Sequence, residues 1–248
     1  MSNRLLIAIL LVATLAMTLL FAPMRLLVSR LAGSEAFSMS GVSGVVWSGR
    51  LEDVTLAGAP IGTWKGGLDP LALVTGQVRI GLKQERAASD QRVTLLLGGR
   101  DKGVRRLNLR TAVDLSAMGL PLSGDVAFRD AAAVFRGGRC ARAGGEIRLR
   151  LIGDGPLRGS VLSGVSACRA NSWTATLSGK ADGADLKLTS RIDGAGRYQL
   201  EMTVATTDAD LIQGLVASGF SKDAVGARRT VNGRLLPAST DQGVKRTP

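Results

Sequence analysis

At residues 147–151 the chain reads Ile147-Arg148-Leu149-Arg150-Leu151, so that apolar and basic side chains alternate strictly. Successive side chains of a β-strand point to opposite faces of a sheet, and this pattern therefore predicts a strand with one dry and one wet face. Strands of a buried parallel sheet would be apolar throughout. The alternation favours an antiparallel sheet.

The same period of two recurs in other segments beyond residue 35, at residues 78–82, 93–97, 107–109 and 198–204. Residue pairs that contain glycine lie between such segments and predict turns: Gly98-Gly99, Gly137-Gly138, Gly144-Gly145, Asp182-Gly183 and Asp193-Gly194. This spacing of strands and turns is typical of an all-β body. We predict a mainly β fold, built as an antiparallel, curved sheet of half-barrel or sandwich-like form.

One or two short helices are predicted within this body. Asp69 and Pro70 combine an N-cap with the preferred first residue of a helix, and Gly76 closes that segment. A second segment, residues 208–219, places its apolar side chains on one face and ends in glycine. We expect this second helix to lie across the open face of the sheet.

Residues 5–24 form an apolar run that contains no charged residue. A helix of this length spans about 30 Å, the thickness of the hydrocarbon core of a bilayer. The alternative is a cleaved signal peptide, but such peptides have a shorter apolar part and end at a small-x-small site, which residues 21–24 do not provide. We predict a single transmembrane anchor, with residues 1–4 in the cytoplasm and residues 25–38 as a juxtamembrane linker.

The basic residues that flank the anchor are nearly balanced between its two sides, so they do not decide its orientation. The cysteines carry more information. Cys140 and Cys168 are the two cysteines of the chain, and they fit a disulfide formed in an oxidising compartment. Two unrelated buried thiols are the alternative. We therefore expect residues 39–236 to form an extracytoplasmic β domain, and residues 237–248, which are polar and aperiodic, to form a disordered tail.

The composition excludes several classes of enzyme. The chain has no histidine, and hence no histidine base, no Ser-His or Cys-His nucleophile pair and no imidazole ligand. Two cysteines are too few for a cysteine-rich zinc site. Neither Gly-x-Ser-x-Gly nor Ser-x-x-Lys occurs. We expect no catalytic residue, no cofactor-binding residue and no metal site, although a carboxylate pair that converges only in the folded protein, as in an envelope hydrolase, is an alternative.

The chain is strongly basic, with 32 Lys and Arg against 20 Asp and Glu. Nucleic acid is not the expected partner, because the basic residues are spread along the strands without an aromatic platform beside them. The densest groups are Arg105-Arg106, residues 136–142 and Arg228-Arg229. We interpret the charge as solvated strand faces, with attraction to anionic lipid headgroups or acidic partners as the second interpretation. A small-molecule substrate is not expected.

One block of sequence is more distinctive than its composition. It runs from residue 42 to residue 76, and its pattern consists of Ser43, Gly44, Trp47, Gly49, Pro60, Gly62, Trp64, Pro70 and Gly76. This block resembles the type II secretion system protein N family, in which a V-S-G-x-x-W-x-G strand leads through P-x-G into W-x-L-x-P-x-x-L-L-x-G. The chain departs from that pattern at Lys65-Gly66-Gly67 and at Leu73-Val74-Thr75.

The resemblance implies an accessory or assembly component on the inner-membrane side of the machinery that exports folded proteins from the periplasm across the outer membrane. It implies a periplasmic body, a cysteine pair at Cys140 and Cys168, no enzymatic activity, and contacts with the inner-membrane platform or the secretin side. An envelope lipid-handling protein with a β-groove is the alternative. A continuous uncovered apolar groove would favour lipid, whereas a filled core would favour assembly.

Overall fold

The computed structural model of the 248-residue chain describes residues 3–28, 37–56, 59–85, 90–118, 120, 122–152, 157–181 and 183–234. Within these residues the helices are α1 (Asn3–Leu20), α2 (Met24–Val28), α3 (Pro70–Val74) and α4 (Ala209–Ala217). The described residues also contain one 3-10 turn, at Leu115–Met118, between α3 and α4 in sequence. Apart from α1, every helix is short, with at most 9 residues.

The described residues also form fifteen strands, all paired antiparallel in one sheet. They are β1 (Phe37–Ser38), β2 (Gly41–Val45), β3 (Ser48–Leu56), β4 (Ala59–Leu68), β5 (Val78–Gln84), β6 (Arg92–Gly98), β7 (Asp101–Asp114), β8 (Ser123–Arg136), β9 (Arg139–Ile152), β10 (Val161–Arg169), β11 (Ser172–Ala181), β12 (Ala184–Ile192), β13 (Arg197–Ala205), β14 (Ser221–Asp223) and β15 (Gly226–Arg234). Neighbours in sequence are neighbours in the sheet from β3 to β13. The sheet then ends in the order β13-β15-β14, and β1 and β2 both pair with β3.

The prediction of a mainly β, antiparallel body is confirmed, and the alternating segments lie in β5, β6, β7, β9 and β13. The turn predicted at Gly144-Gly145 is wrong, because both residues lie inside β9. Gly145 has a φ of +92°, and a Cβ at this position would lie 2.3 Å from the Cα of Ala131 on β8. Gly145 therefore serves a close approach between two strands and not a change of direction.

The N-terminal segment also differs in detail from the expectation. The helix α1 ends at Leu20, and the helix α2, which the sequence did not predict, begins at Met24 and packs on the sheet. In the part of the chain that the structure describes, no helix is both long and apolar enough to count as a membrane crossing. The predicted disordered tail at residues 237–248 and most of the predicted linker, residues 29–36, lie outside the described residues.

The buried side chains form two clusters. The larger one fills the sheet from β8 to β15, where Met202 and Val204 of β13 are fully buried. Leu211 and Leu215 of α4 and the following Phe220 belong to the same cluster. The helix α4 thus closes the inner side of the sheet at its C-terminal end, where it contacts β14 and β15. The smaller cluster lies at the N-terminal end of the sheet and is described below.

A disulfide holds the end of the β9–β10 pair. Regular pairing of these strands stops at Glu146 and Val165. Beyond that point Ser166 replaces the backbone ladder, since its Oγ accepts a hydrogen bond from Gly144 N–H (3.1 Å) and donates one to Gly144 O (2.7 Å). Cys140 and Cys168 then join the two strands through a disulfide with a Cα–Cα distance of 5.5 Å. The bridge secures a region that backbone pairing alone leaves open.

Replacing both cysteines by alanine (Cys140→Ala with Cys168→Ala) should lower the free energy of unfolding by about 3–4 kcal/mol. The reason is that the bridge closes a loop with a sequence separation of 28 residues, and loop-closure entropy predicts this magnitude. The measurement is urea unfolding of the full chain in a non-ionic detergent, with and without reductant. Reductant should destabilise the wild type and leave the double variant unchanged. An equal urea midpoint for oxidised and reduced wild type would contradict this role.

Candidate interaction site

Part of the distinctive sequence block lies beside the C-terminal end of α1, and the rest lies farther along β3 and β4. Ser43 and Gly44 lie on β2, Trp47 in the β2–β3 turn, Gly49 on β3, Pro60, Gly62 and Trp64 on β4, and Pro70 and Gly76 at the start and just after the end of α3. Three strands and one helix thus carry these residues; Gly49 lies against Met24, whereas Pro60 pairs with Thr55 at the far end of β4. Sequence order alone placed these residues in a strand, a turn, a strand and a helix, but not against the chain that follows α1.

The side chain of Met24 is buried in this region. Its side chain is 1% exposed and packs with Leu51, Val54, Trp64 and Leu109, a set that we call the Met24 socket. Trp64 is the largest fully buried side chain, and its Nε1 donates a hydrogen bond to the carbonyl of Ile61 at 3.0 Å. The indole therefore supplies apolar bulk while its polar atom keeps a partner.

Gly49 makes room for this methionine. A Cβ at Gly49 would lie 2.6 Å from Met24 Cγ and 2.9 Å from Met24 Cβ, closer than any real contact of that kind. Glycine is therefore required at position 49 for a steric reason, because the backbone of β3 lies directly against the Met24 side chain. Glycine at position 44, which pairs with Gly49, is required for a conformational reason, since its φ is +85°.

A series of backbone hydrogen bonds links the end of α1 to α3. Val46 N–H donates to Ala22 O at 2.9 Å, and Leu68 N–H donates to Val46 O at 2.7 Å. The next residue, Asp69, caps α3, because its Oδ1 accepts hydrogen bonds from the N–H groups of the first turn. The ends of α1 and α3 therefore lie on the same side of the molecule.

The helix α3 presents apolar side chains to solvent on that side. Ala72 is buried and fixes the helix on the sheet, whereas Leu71 and Val74 are 79% and 86% exposed. Both are held in place by the Asp69 cap and by the turn that Gly76 completes. Two fixed, exposed apolar side chains beside the end of α1 form a surface suited to contact with an apolar environment.

The two edges of the sheet differ in how they are covered. At the N-terminal edge the outermost strands are the short β1 and β2, which pair with β3, while α2 packs on β2 and Pro23 forms a bridge with Val45. At the other edge, β14 pairs with only residues 226–228 of β15. Within the described residues no strand pairs with the outer side of β15 from Arg229 to Arg234.

The free part of β15 has backbone groups available for pairing. The β14–β15 hairpin closes between Asp223 and Gly226 around a two-residue turn, so the even-numbered residues of β15 direct their N–H and C=O groups to the β14 side. Beyond β14 these are Thr230, Asn232 and Arg234. A row of unpaired donors and acceptors at a sheet edge is a template for an added strand.

Three carboxyl groups, those of Asp101, Asp114 and Asp193, have a pKa below the ordinary value of aspartate. Hydrogen bonds and charge from Arg136 lower the pKa of Asp101, and the side-chain and backbone donors of Ser116 lower the pKa of Asp114. Burial would raise the pKa of Asp193, but donors from Arg197 and Ala195 outweigh it and lower the pKa. Downward shifts keep these groups ionised, whereas a general acid needs a raised pKa. Among the described residues no three His, Cys, Asp or Glu side chains are grouped to hold a metal.

One cluster of basic residues was not predicted from the sequence, in which these residues look dispersed. The structure brings four arginines of β5, β7 and β9 to one cleft: Arg79, Arg105, Arg106 and Arg142. These residues lie up to 63 positions apart, and strand pairing with its register shifts is what unites them. The adjacent pair Arg105-Arg106 is the signal that could have been used, since it breaks the alternation of β7 and so indicates a bulge.

The chain was compared with known proteins. The model of the family described as Type II secretion system (T2SS), protein N matches residues 35–231, which comprise the sheet from β1 into β15 and the helices α3 and α4. Leu51, Val54, Trp64, Leu109 and α3 lie within the matched span. Met24 lies before it, and of the free part of β15 only residues 229–231 fall within it. No curated protein and no solved structure matches the chain.

Substituting alanine for Gly49 should destabilise the chain by about 1–3 kcal/mol, because the new methyl group overpacks the socket against Met24. Met24→Ala should cost about 2–5 kcal/mol through the cavity that it leaves. The double variant should cost less than the sum, since alanine at position 24 removes the Cγ and Sδ atoms that the methyl group would meet at 2.6 and 3.0 Å, and only the contact with Cβ at 2.9 Å remains.

The measurement is urea unfolding of the three variants, with Gly81→Ala as the matched control. Gly81 also lies on a strand, but a Cβ there would meet no atom within 4 Å, so this change should leave the free energy of unfolding nearly unaltered. Additive effects of Gly49→Ala and Met24→Ala would show that the two residues do not share the socket.

Proposed function

The chain belongs to the type II secretion system protein N family, and from this membership we propose that it acts as an inner-membrane-anchored, periplasmic accessory or assembly component of that machinery. Membership makes it a component of type II secretion and implies contact with other components. The observation that carries the proposal is the family match, which extends over residues 35–231. No catalytic step is part of the proposed role.

The anchor is proposed from the N-terminal segment. Residues 5–24 carry no charge, and α1 accounts for most of them. Large apolar side chains of α1 are exposed and do not pack on the sheet, among them Leu10, Leu11 and Met17. An exposed apolar helix is stable where lipid surrounds it. The Met24 socket then starts where the anchor ends, and it fixes the direction in which the sheet leaves the membrane.

The exposed pair on α3 supports the same arrangement. Because Leu71 and Val74 lie on the side where α1 ends, we expect them to touch the membrane interface when α1 is inserted. Location of the body in the periplasm is supported by the disulfide between Cys140 and Cys168, which is typical of an oxidising compartment.

We propose that the free edge of β15 receives another component of the machinery. Thr230 and Asn232 are exposed and offer backbone donors and acceptors, whereas the opposite edge of the sheet ends in short strands, with α2 packed on β2. An extended segment of a partner would add one more antiparallel or parallel strand there, held by main-chain hydrogen bonds. The inner-membrane platform and the secretin side are both candidate sources of that segment.

The alternative of a lipid-handling groove is less well supported. Its requirement is a continuous uncovered apolar face, whereas the face between β8 and β15 is filled by side chains that include Leu200, Met202 and Val204, with α4 packed at its end. The cleft described above is lined by arginines and not by apolar groups. A filled core supports the assembly role.

A strain without the gene should accumulate normally exported proteins in the periplasm. Fractionation of the complemented strain should place the protein in the inner membrane, resistant to extraction by carbonate and released by detergent. This outcome follows if residues 5–24 anchor a component of the secretion machinery. Unchanged export combined with altered envelope lipids would reject the secretion role in favour of lipid handling.

The edge is tested by Thr230→Pro in the complemented strain. Proline removes the N–H that faces the free edge while leaving the pairs with β13 in place, and edge strands tolerate proline at such positions. We expect a folded protein that fails to restore export. The matched control is Thr230→Ala, which removes the side chain but keeps the N–H, and it should restore export fully. Full restoration by a folded Thr230→Pro variant would show that the edge is not used.

A further inference from the structure

The arginines that the sheet brings together line a cleft of about 480 Å³. We call this the arginine cleft, and it is formed by Arg79 on β5, Thr94 on β6, Arg105 and Arg106 on β7, Asp130 on β8 and Arg142 on β9. Four guanidinium groups line the cleft with one carboxylate, that of Asp130, and a second carboxylate, that of Asp69, pairs with Arg79, which leaves a surplus of two positive charges. Such a volume suits a small organic ligand or the headgroup of a larger one.

Bulges on neighbouring strands build the cleft. On β7, Arg105 and Arg106 lie together between the pairs Val104–Ala133 and Leu107–Ala131, so two residues face one residue of β8. A bulge bends its strand, increases the local twist and redirects side chains. Both arginines thereby depart from the alternation that would place them on opposite faces, which explains why they line the same cleft.

The adjacent strand carries a second bulge. Asp130 has a φ of +46° and lies where the pairing of β8 with β9 shifts, between Arg129–Glu146 and Ala132–Gly144. Asn108 on β7 holds this conformation, since its Oδ1 accepts the Asp130 N–H at 2.7 Å and its Nδ2 donates to Asp130 Oδ1 at 3.2 Å. A left-handed conformation is costly for aspartate, so its surroundings must hold it in place.

The positive charge in the cleft is only partly neutralised by the protein. Arg79 pairs with Asp69 at 3.1 Å, and Arg106 approaches Asp130 at 3.6 Å. Among the described residues, Arg105 and Arg142 form no ion pair. The buried Nε of Arg79 has no hydrogen-bond partner in this part of the chain either. Cations held close together without a counter-charge repel one another, and an anion that enters relieves this repulsion.

We propose that the arginine cleft binds a phosphate group. A single carboxylate is planar and is satisfied by one arginine fork, whereas a tetrahedral phosphate accepts hydrogen bonds from several directions at once. Arginines that arrive from three strands offer donors from such directions, and the hydroxyl of Thr94 adds another. The surplus positive charge matches an anion with one or two negative charges.

The cleft begins beside the proposed membrane side of the molecule. Arg79 pairs with Asp69, which caps α3, and the end of α1 is linked to the same residue through Val46 and Leu68. A phosphodiester of a lipid headgroup and free phosphate would both supply the required chemistry. The lipid source depends on the proposed anchor, whereas the phosphate site itself stands on the geometry of the cleft.

The test measures binding of two water-soluble probes to the full chain in a non-ionic detergent by isothermal titration calorimetry. One probe is inorganic phosphate, and the other is glycerophosphoglycerol, which is the headgroup of phosphatidylglycerol without its acyl chains. The cleft variant is Arg105→Gln with Arg142→Gln. The matched control is Lys187→Gln with Arg191→Gln, which removes the same charge from exposed positions of β12 outside the cleft.

We expect the dissociation constant of the bound probe to rise at least tenfold in the cleft variant and to stay within about twofold in the control. Salt should weaken binding to the wild type, because ions screen the attraction. Preference for glycerophosphoglycerol would assign a lipid headgroup, and preference for inorganic phosphate would assign a free anion. Failure of both probes to bind the wild type, or equal losses in the cleft variant and the control, would overturn the proposal.

Discussion

The structure depends on one continuous antiparallel hydrogen-bond ladder, which runs from β1 to β14 through a single sheet. Because the first and last of the described strands do not pair with each other, the sheet has two edges and two faces, and each of them faces solvent unless another part of the protein packs on it. One face is covered where the larger apolar cluster and α4 fill it. One edge is covered by the short strands β1 and β2 and by α2. Within the described residues no strand pairs with the other edge, along β15 from Arg229 to Arg234, and we propose that this asymmetry directs the contact with another protein.

The same ladder explains why the special features of the molecule lie where they do. The long strands β7 and β8, with 14 residues each, pair with their neighbours through several register shifts. The bulges at these shifts redirect side chains, and they bring the arginines of the cleft together. At the N-terminal end of the sheet, the absence of a side chain at Gly49 leaves space for Met24. This side chain, from outside the sheet, completes the smaller core.

Much of this architecture could be predicted from sequence, because alternation of apolar and polar residues reports directly on strands. The disulfide was also within reach, since Cys140 has one possible partner in the chain. Other features depend on contacts that local patterns do not contain. The pair Gly144-Gly145 resembled a turn, because glycine is typical of turns and also of close strand contacts such as that of Gly145 with Ala131. In the sequence Met24 looked like the last residue of a lipid-facing segment, because a run of apolar residues reads the same whether lipid or protein surrounds its members.

Contact with a secretion component through the open edge is the central claim, and crosslinking in living cells tests it most directly. A photoreactive amino acid at Asn232, on the free part of β15, should form an adduct with another type II secretion component. The same amino acid at Ser43, which is exposed on the covered β2, should not. The adduct from position 232 should disappear when the other components of the machinery are deleted. No adduct from position 232, or the same adduct from both positions, would contradict the account.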